Sequence, residues 1–136
     1  MIEPLRVLVA DDEPTILEIL NLALTEMGHT VTTACNGKSA LEQALEIDFD
    51  LIITDLKMPQ MGGLEFTRRL VELRPMMSNR IILITGDVSE LTAALQKTPA
   101  ALHILPKPFG MAELTHAIDS WWARRRHDAA AQQPAS

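Results

Sequence analysis

The stretch "LIITDLKMPQMGG", residues 51–63, decides how the rest of the chain is read. Leu51 to Thr54 suit a buried strand, and the run stops on the carboxylate of Asp55. A Met58-Pro59 turn and the pair Gly62-Gly63 follow. An apolar strand does not need to end on a charge. Asp55 is therefore either a turn former or a chemical group, and one residue cannot say which.

Working outward, four further runs have β character: "RVLVA" (6–10), "TVTTA" (30–34), "RIILIT" (80–85) and "LHIL" (102–105). We number the five strands β1 to β5 in chain order. The segments between them carry helical spacing. From Pro14 to Met27 (α1), Ile16, Leu17, Leu20, Ala23, Leu24 and Met27 form one stripe, with Pro14 in the first turn and Gly28 as the stop. Ser39–Leu45 (α2) presents Leu41, Ala44 and Leu45, and Leu64–Leu73 (α3) presents Phe66, Leu70 and Leu73. A shorter helix is expected over Ser89–Lys97 (α4). The last (α5) has Met111, Leu114, Ala117, Ile118 and Trp121 on one face and is expected to end near Arg125.

Strands alternating with helices predict an α/β fold, a parallel sheet covered on both faces. Runs one, three and four are apolar, as central strands are, while the Thr-rich second run and the fifth, with His103, suit edges. The order 2-1-3-4-5 with right-handed crossovers satisfies these clues, giving a doubly wound, flavodoxin-like sheet. Residues 1–123 are expected to form one domain. Residues 124–136, "RRRHDAAAQQPAS", read as a polar tail or linker, expected to be disordered. His29, His103, His116 and His127 show no ligand spacing and read as partly exposed.

The 136 residues are 47% hydrophobic and 22% charged, with a formal net charge of −6. That balance fits one packed core and argues against nucleic acid or an anionic membrane as partner. Cys35 is the single cysteine, the apolar runs are too short to span a bilayer, and the opening residues are not a secretory signal. A cytoplasmic setting is the expectation.

In this strand order, ligands bind outside the carboxyl ends of the strands, between β1 and β3. β1 ends in Asp11-Asp12-Glu13, β3 in Asp55, β4 in Thr85-Gly86-Asp87 and β5 in Pro106-Lys107-Pro108. Crowded carboxylates call for a cation, and hard oxygen ligands without His or Cys suit Mg2+. Lys107 and Thr85 add an ammonium and a hydroxyl, the groups that spread charge over a transferring phosphoryl group. A carboxylate beside them can be the nucleophile that becomes an aspartyl phosphate, and Asp55 is placed for it.

"VLVADDEP", "DLIITDLKMPQMGGLEF", "ILITGD" and "LPKPF" resemble, in order and spacing, the signatures of the bacterial two-component response-regulator receiver domain over residues 5 to 122. The resemblance implies phosphoryl transfer from a histidine kinase or phosphotransfer protein, and a partner-binding surface on α4, β5 and α5. It implies that Asp55 is the phosphoacceptor, that Asp12, Asp55 and the carbonyl of Lys57 hold Mg2+, and that Asp11 holds water on that ion. It further implies that Thr85 and Lys107 contact the phosphoryl group and that Lys107–Pro108 is cis. One family feature is missing: Ile104 stands where an aromatic switch residue is common.

Taken singly, these residues have structural readings. The acidic run before Pro14 could cap α1, Asp55 could form an Asx turn, and Thr85 could be an ordinary strand residue. A hydrolase with an aspartyl-phosphate intermediate would want a second Asp two residues after the nucleophile, where Lys57 stands. A degenerate receiver acting only as an interaction module would not keep Asp12, Asp55, Thr85 and Lys107 together.

Overall fold

The computed structural model describes residues 3–87, 89 and 103–132, with the side chains of 126–132 left aside. Its elements run β1 (Arg6–Ala10), α1 (Pro14–Glu26), β2 (Thr30–Ala34), α2 (Gly37–Glu46), β3 (Leu51–Asp55), α3 (Gly63–Leu73), a 3-10 turn (Pro75–Asn79), β4 (Ile81–Thr85), β5 (His103–Pro106) and α5 (Met111–Gln132). Of the helix expected over Ser89–Lys97, all but Ser89 lies outside the described residues.

All strand pairs are parallel, in the order β2-β1-β3-β4-β5. Alternation along the central strands divides the core into two layers. Val7, Val9, Leu51, Ile53, Ile82 and Ile84 pack under α1 and α5, where Trp121 is the largest buried side chain. Leu8, Ile52, Ile81 and Leu83 pack under α2 and α3 with Phe49 and Phe66. The near-continuous apolar character of β3 and β4 follows from burial on both faces.

Local chemistry sets the helix ends. Pro14 takes the first position of α1. Its other end is a Schellman closure: Gly28, at φ +98°, donates its N–H to Thr25, and His29 donates to Leu24. Asn36 caps α2 by accepting the Ser39 N–H at 2.7 Å.

Four sequence expectations are corrected. α2 turns its small residues Gly37, Ala40 and Ala44 to the sheet, so Leu45, one position further round, is exposed. Leu73 and Met111, at helix ends, are exposed for want of sheet beneath them. His29 is buried rather than partly exposed, because its Nδ1 accepts the Leu5 N–H at 3.0 Å. The last helix does not stop near Arg125 but continues to Gln132. Arg125 lies over Trp121 and Trp122, 5.4 and 5.9 Å from the ring centroids, and the following Ala129-Ala130-Ala131 favours helix. No described helix is long and apolar enough to cross a membrane.

Candidate functional site

The carboxyl ends of β1, β3, β4 and β5 open on a cleft of about 520 Å³, lined by Asp12, Glu13, Asp55, Lys57, Gly86, Asp87 and Lys107. The ladder continues one residue beyond the strands: Asp11 donates to the Ala34 carbonyl, Leu56 to Ile84 and Lys107 to Thr85. These bonds fix the backbone at Asp11, Leu56 and Lys107.

The glycines of the opening stretch explain the loop after Asp55. A Cβ on Gly63 would fall on the Asp55 carbonyl, and one on Gly37 would fall on the Met61 carbonyl. Only glycine lets α3 start against the strand end and lets the loop lie on the start of α2. Gly63 donates to the Leu56 carbonyl at 2.8 Å, while Met58 and Met61 seal the loop onto the α2–α3 layer. Gln60 holds φ +68° between Pro59 and Met61, whose carbonyl and N–H bond across it at 2.8 Å, a strained tight turn beside the site.

Lys107 organises the charges. Its Nζ donates to Asp55 Oδ2 at 2.9 Å and to Glu13 Oε1 at 3.1 Å, and lies 3.3 Å from Asp11 Oδ2. Burial alone would lower the ammonium's pKa, but the bonds to Asp55 and Glu13 and the charge of Asp11 outweigh it and push it up. Asp11 is fully buried, and burial pushes its carboxyl up to about 6. The Asp55 charge adds to that rise, while the Glu13 N–H and Lys107 oppose it. Asp11 Oδ1 accepts the Glu13 N–H at 2.9 Å, yet Oδ2 is buried with no hydrogen bond.

One oxygen from each of Asp11, Asp12, Glu13 and Asp55 lies within 4.8 Å of the others. An all-oxygen, like-charged donor set, in which a buried Asp11 oxygen is met by the Lys107 charge without a hydrogen bond, fits a hard divalent cation. The capping reading of this acidic run fails, because no side chain caps α1. The turn reading of Asp55 holds in part: its Oδ1 accepts the Lys57 N–H at 3.3 Å while Oδ2 faces Lys107.

Of the expected residues, Asp11, Asp12, Asp55, Lys57 and Lys107 come together. Thr85 is buried at the end of β4. Its hydroxyl donates to the Asp87 carbonyl and accepts the Asp87 N–H, both at 3.1 Å, and the Asp87 carboxylate accepts from Ser89. Lys107–Pro108 is cis. Ile104 is half-buried in β5 opposite Leu83. Sequence reading missed the Glu13–Lys107 bond, since nothing local ties residues 94 positions apart.

Known proteins match this arrangement along most of the chain. The pattern of the response regulator receiver domain matches residues 7–119. The response regulator receiver protein CpdR of Brucella abortus is 35% identical over 114 residues, 84% of this chain and 93% of the relative. The DNA-binding transcriptional regulator NtrC of Azospirillum brasilense is 35% identical over 113 residues, and this chain spans 23% of its length. The response regulator TrrA of Thermotoga maritima, solved in complex with Mg(2+)-BeF, superposes with a TM-score of 0.73 at 33% identity, over 85% of this chain and 97% of that one.

Proposed function

The chain belongs to the response regulator receiver domain family, and from that premise we propose that Asp55 is the phosphoacceptor of a two-component phosphorelay. The observation that carries the assignment is the Lys107 ammonium, 2.9 Å from Asp55 Oδ2 inside a cleft of like charges. The donor is a phosphohistidine on a histidine kinase or phosphotransfer protein. An Asp55 carboxylate oxygen attacks phosphorus, the O–P bond forms as the P–N bond breaks, and the electron pair leaves on the imidazole nitrogen.

The chain's own groups prepare that step. The Lys57 N–H holds one Asp55 oxygen, which orients the other. Lys107 moves from Asp55 to an oxygen of the incoming group and spreads its charge. Asp12, Asp55 and the Lys57 carbonyl would hold Mg2+, with Asp11 behind them. Bound there, the ion supplies positive charge to the phosphoryl oxygens and relieves carboxylate repulsion.

Thr85 donates to the phosphoryl group only by leaving Asp87. Because Asp87 also binds Ser89, that exchange carries the signal into the loop beyond β4. With Ile104 in place of an aromatic, this route operates without a ring flipping inward. The partner surface is β5 and α5 together with the segment predicted as α4. The chemistry is confined to the protein's own phosphorylation and dephosphorylation in the cytoplasm. Lys57 stands where a hydrolase of this type would want its acid, which disfavours that alternative.

The test is uptake of beryllofluoride with Mg2+, a mimic of the phosphoryl group, followed by amide NMR. Wild-type protein is expected to shift around residues 55, 85 and 107, and Asp55→Asn to give no response. An Asp55→Asn spectrum that shifts as the wild type does would overturn the assignment.

A further inference from the structure

Four carboxylates, of Asp11, Asp12, Glu13 and Asp55, cluster with one oxygen of each within 4.8 Å of the others, and the proposed chemistry uses three of them. The fourth is Glu13. Its side chain is 59% exposed and sits at the N-cap of α1 without capping it. A long exposed side chain gives up rotamer freedom to hold one geometry, and such pairs return little stability. Glu13 nevertheless accepts an N–H from Lys107 at 3.1 Å.

An ammonium has three donors. Asp55 and Glu13 take two of them, and Asp11 Oδ2 lies 3.3 Å away on the same charge. A phosphoryl group on Asp55 carries about −1.5 to −2 charge, in place of the single charge of the free carboxylate. It competes with Glu13 for the position of the Lys107 ammonium, and the Glu13 carboxylate repels it. The Glu13 backbone is pinned, its N–H donating to Asp11 Oδ1 at 2.9 Å, so release requires a side-chain rotation alone.

We infer that Glu13 is a positioning residue that holds Lys107 in the resting arrangement and must release it when a phosphoryl group arrives. It thereby sets how readily the acceptor site fills. This rests on the Asp55–Lys107 reading above. It assigns Glu13 to the ammonium and not to the metal ion.

The experiment compares wild type, Glu13→Gln and Glu13→Asp. Beryllofluoride affinity is measured at saturating Mg2+, Mg2+ affinity is measured alone, and the Lys107 Nζ signal is followed by 15N NMR. Loss of a hydrogen-bonded charge partner changes such an equilibrium by about three- to ten-fold. Glu13→Gln is expected to bind beryllofluoride tighter by that factor. Glu13→Asp, which keeps the charge but is too short to reach, is expected to follow it. The Lys107 signal should differ from wild type in the free variants and coincide with it in the complexes.

Three results overturn the inference while leaving Asp55 in place. One is unchanged or weaker beryllofluoride binding by Glu13→Gln. Another is wild-type behaviour of Glu13→Asp, which would make the effect one of charge without contact. The third is a loss of Mg2+ affinity in Glu13→Gln as large as in Asp12→Asn, which would make Glu13 a ligand. Wild-type protein that takes up no beryllofluoride overturns the acceptor reading itself, and the Glu13 inference with it.

Discussion

At the amino ends of the strands, Asp50 accepts the Arg6 N–H at 2.9 Å, His29 accepts that of Leu5, Arg80 donates to the Phe49 carbonyl at 3.1 Å, and Trp121 donates to the Asn79 carbonyl at 2.7 Å. At the carboxyl ends, Lys107 divides one ammonium among three carboxylates, and a buried oxygen of Asp11 has no hydrogen bond. The first arrangement ties side chains to backbone groups that would otherwise be unsatisfied, which is what stability requires. The second crowds like charges, which costs stability and is characteristic of functional sites.

Removing a side chain at the amino end should produce the largest loss of stability. Trp121 is 1% exposed and hydrogen-bonded, so Trp121→Ala should cost about 3–5 kcal/mol, read by urea unfolding. Beryllofluoride affinity of the folded variant should stay near wild type; a loss comparable to that of Asp55→Asn would break the contrast.

At the carboxyl end the sign should reverse. Asp11→Asn removes a buried charge while its amide oxygen still accepts the Glu13 N–H. Without metal it should stabilise the protein by about 1–3 kcal/mol and weaken Mg2+ binding. A metal-free variant less stable than wild type would show that Asp11 is held there for the fold.

His29 sharpens the comparison through pH. Burial holds its imidazole below the ordinary 6.5, so the stability it contributes is complete above pH 6.5 and is lost as pH falls through the lower folded value. Protonation also removes the acceptor for Leu5. Relative to His29→Gln, whose amide oxygen can accept the same N–H, wild type should lose on the order of 1 kcal/mol between pH 7.5 and 5.5. Parallel stability curves for the two proteins would refute this.

Lys57 should give the smallest effect. Lys57 and Asp87 both line the cleft, and side chains there are expected to obstruct the in-line approach of water to a phosphorylated Asp55. Lys57→Asn should speed phosphate loss by about two- to five-fold, timed after removal of the donor. Decay that is unchanged or slower would remove the shielding role.

Much of this was legible in the residues. Apolar runs gave five strands, their edge character was compatible with the observed order, which the family resemblance supported, and the rim positions of Asp11, Asp12, Asp55 and Lys107 followed from that order. Pro14 and Gly28 marked the ends of α1 because their backbone constraints are local. What could not be read depends on distance or rotation. The Glu13–Lys107 bond joins residues 94 apart, and the His29–Leu5 bond joins residues 24 apart. The Thr85 hydroxyl faces Asp87 by a side-chain rotation that no spacing encodes. The stacking of Arg125 across Trp121 and Trp122 in α5 likewise depends on side-chain placement.

The measurement that bears most directly on the carboxyl-end cluster is intact-protein mass after incubation with Mg2+ and acetyl phosphate. Wild type should gain one phosphoryl mass that hydroxylamine removes, and peptide mapping should locate it on Asp55. Asp55→Asn should gain nothing while unfolding at or above the wild-type denaturant midpoint. A full, hydroxylamine-labile phosphoryl mass on Asp55→Asn would contradict the assignment of Asp55 and the account of why these charges are gathered.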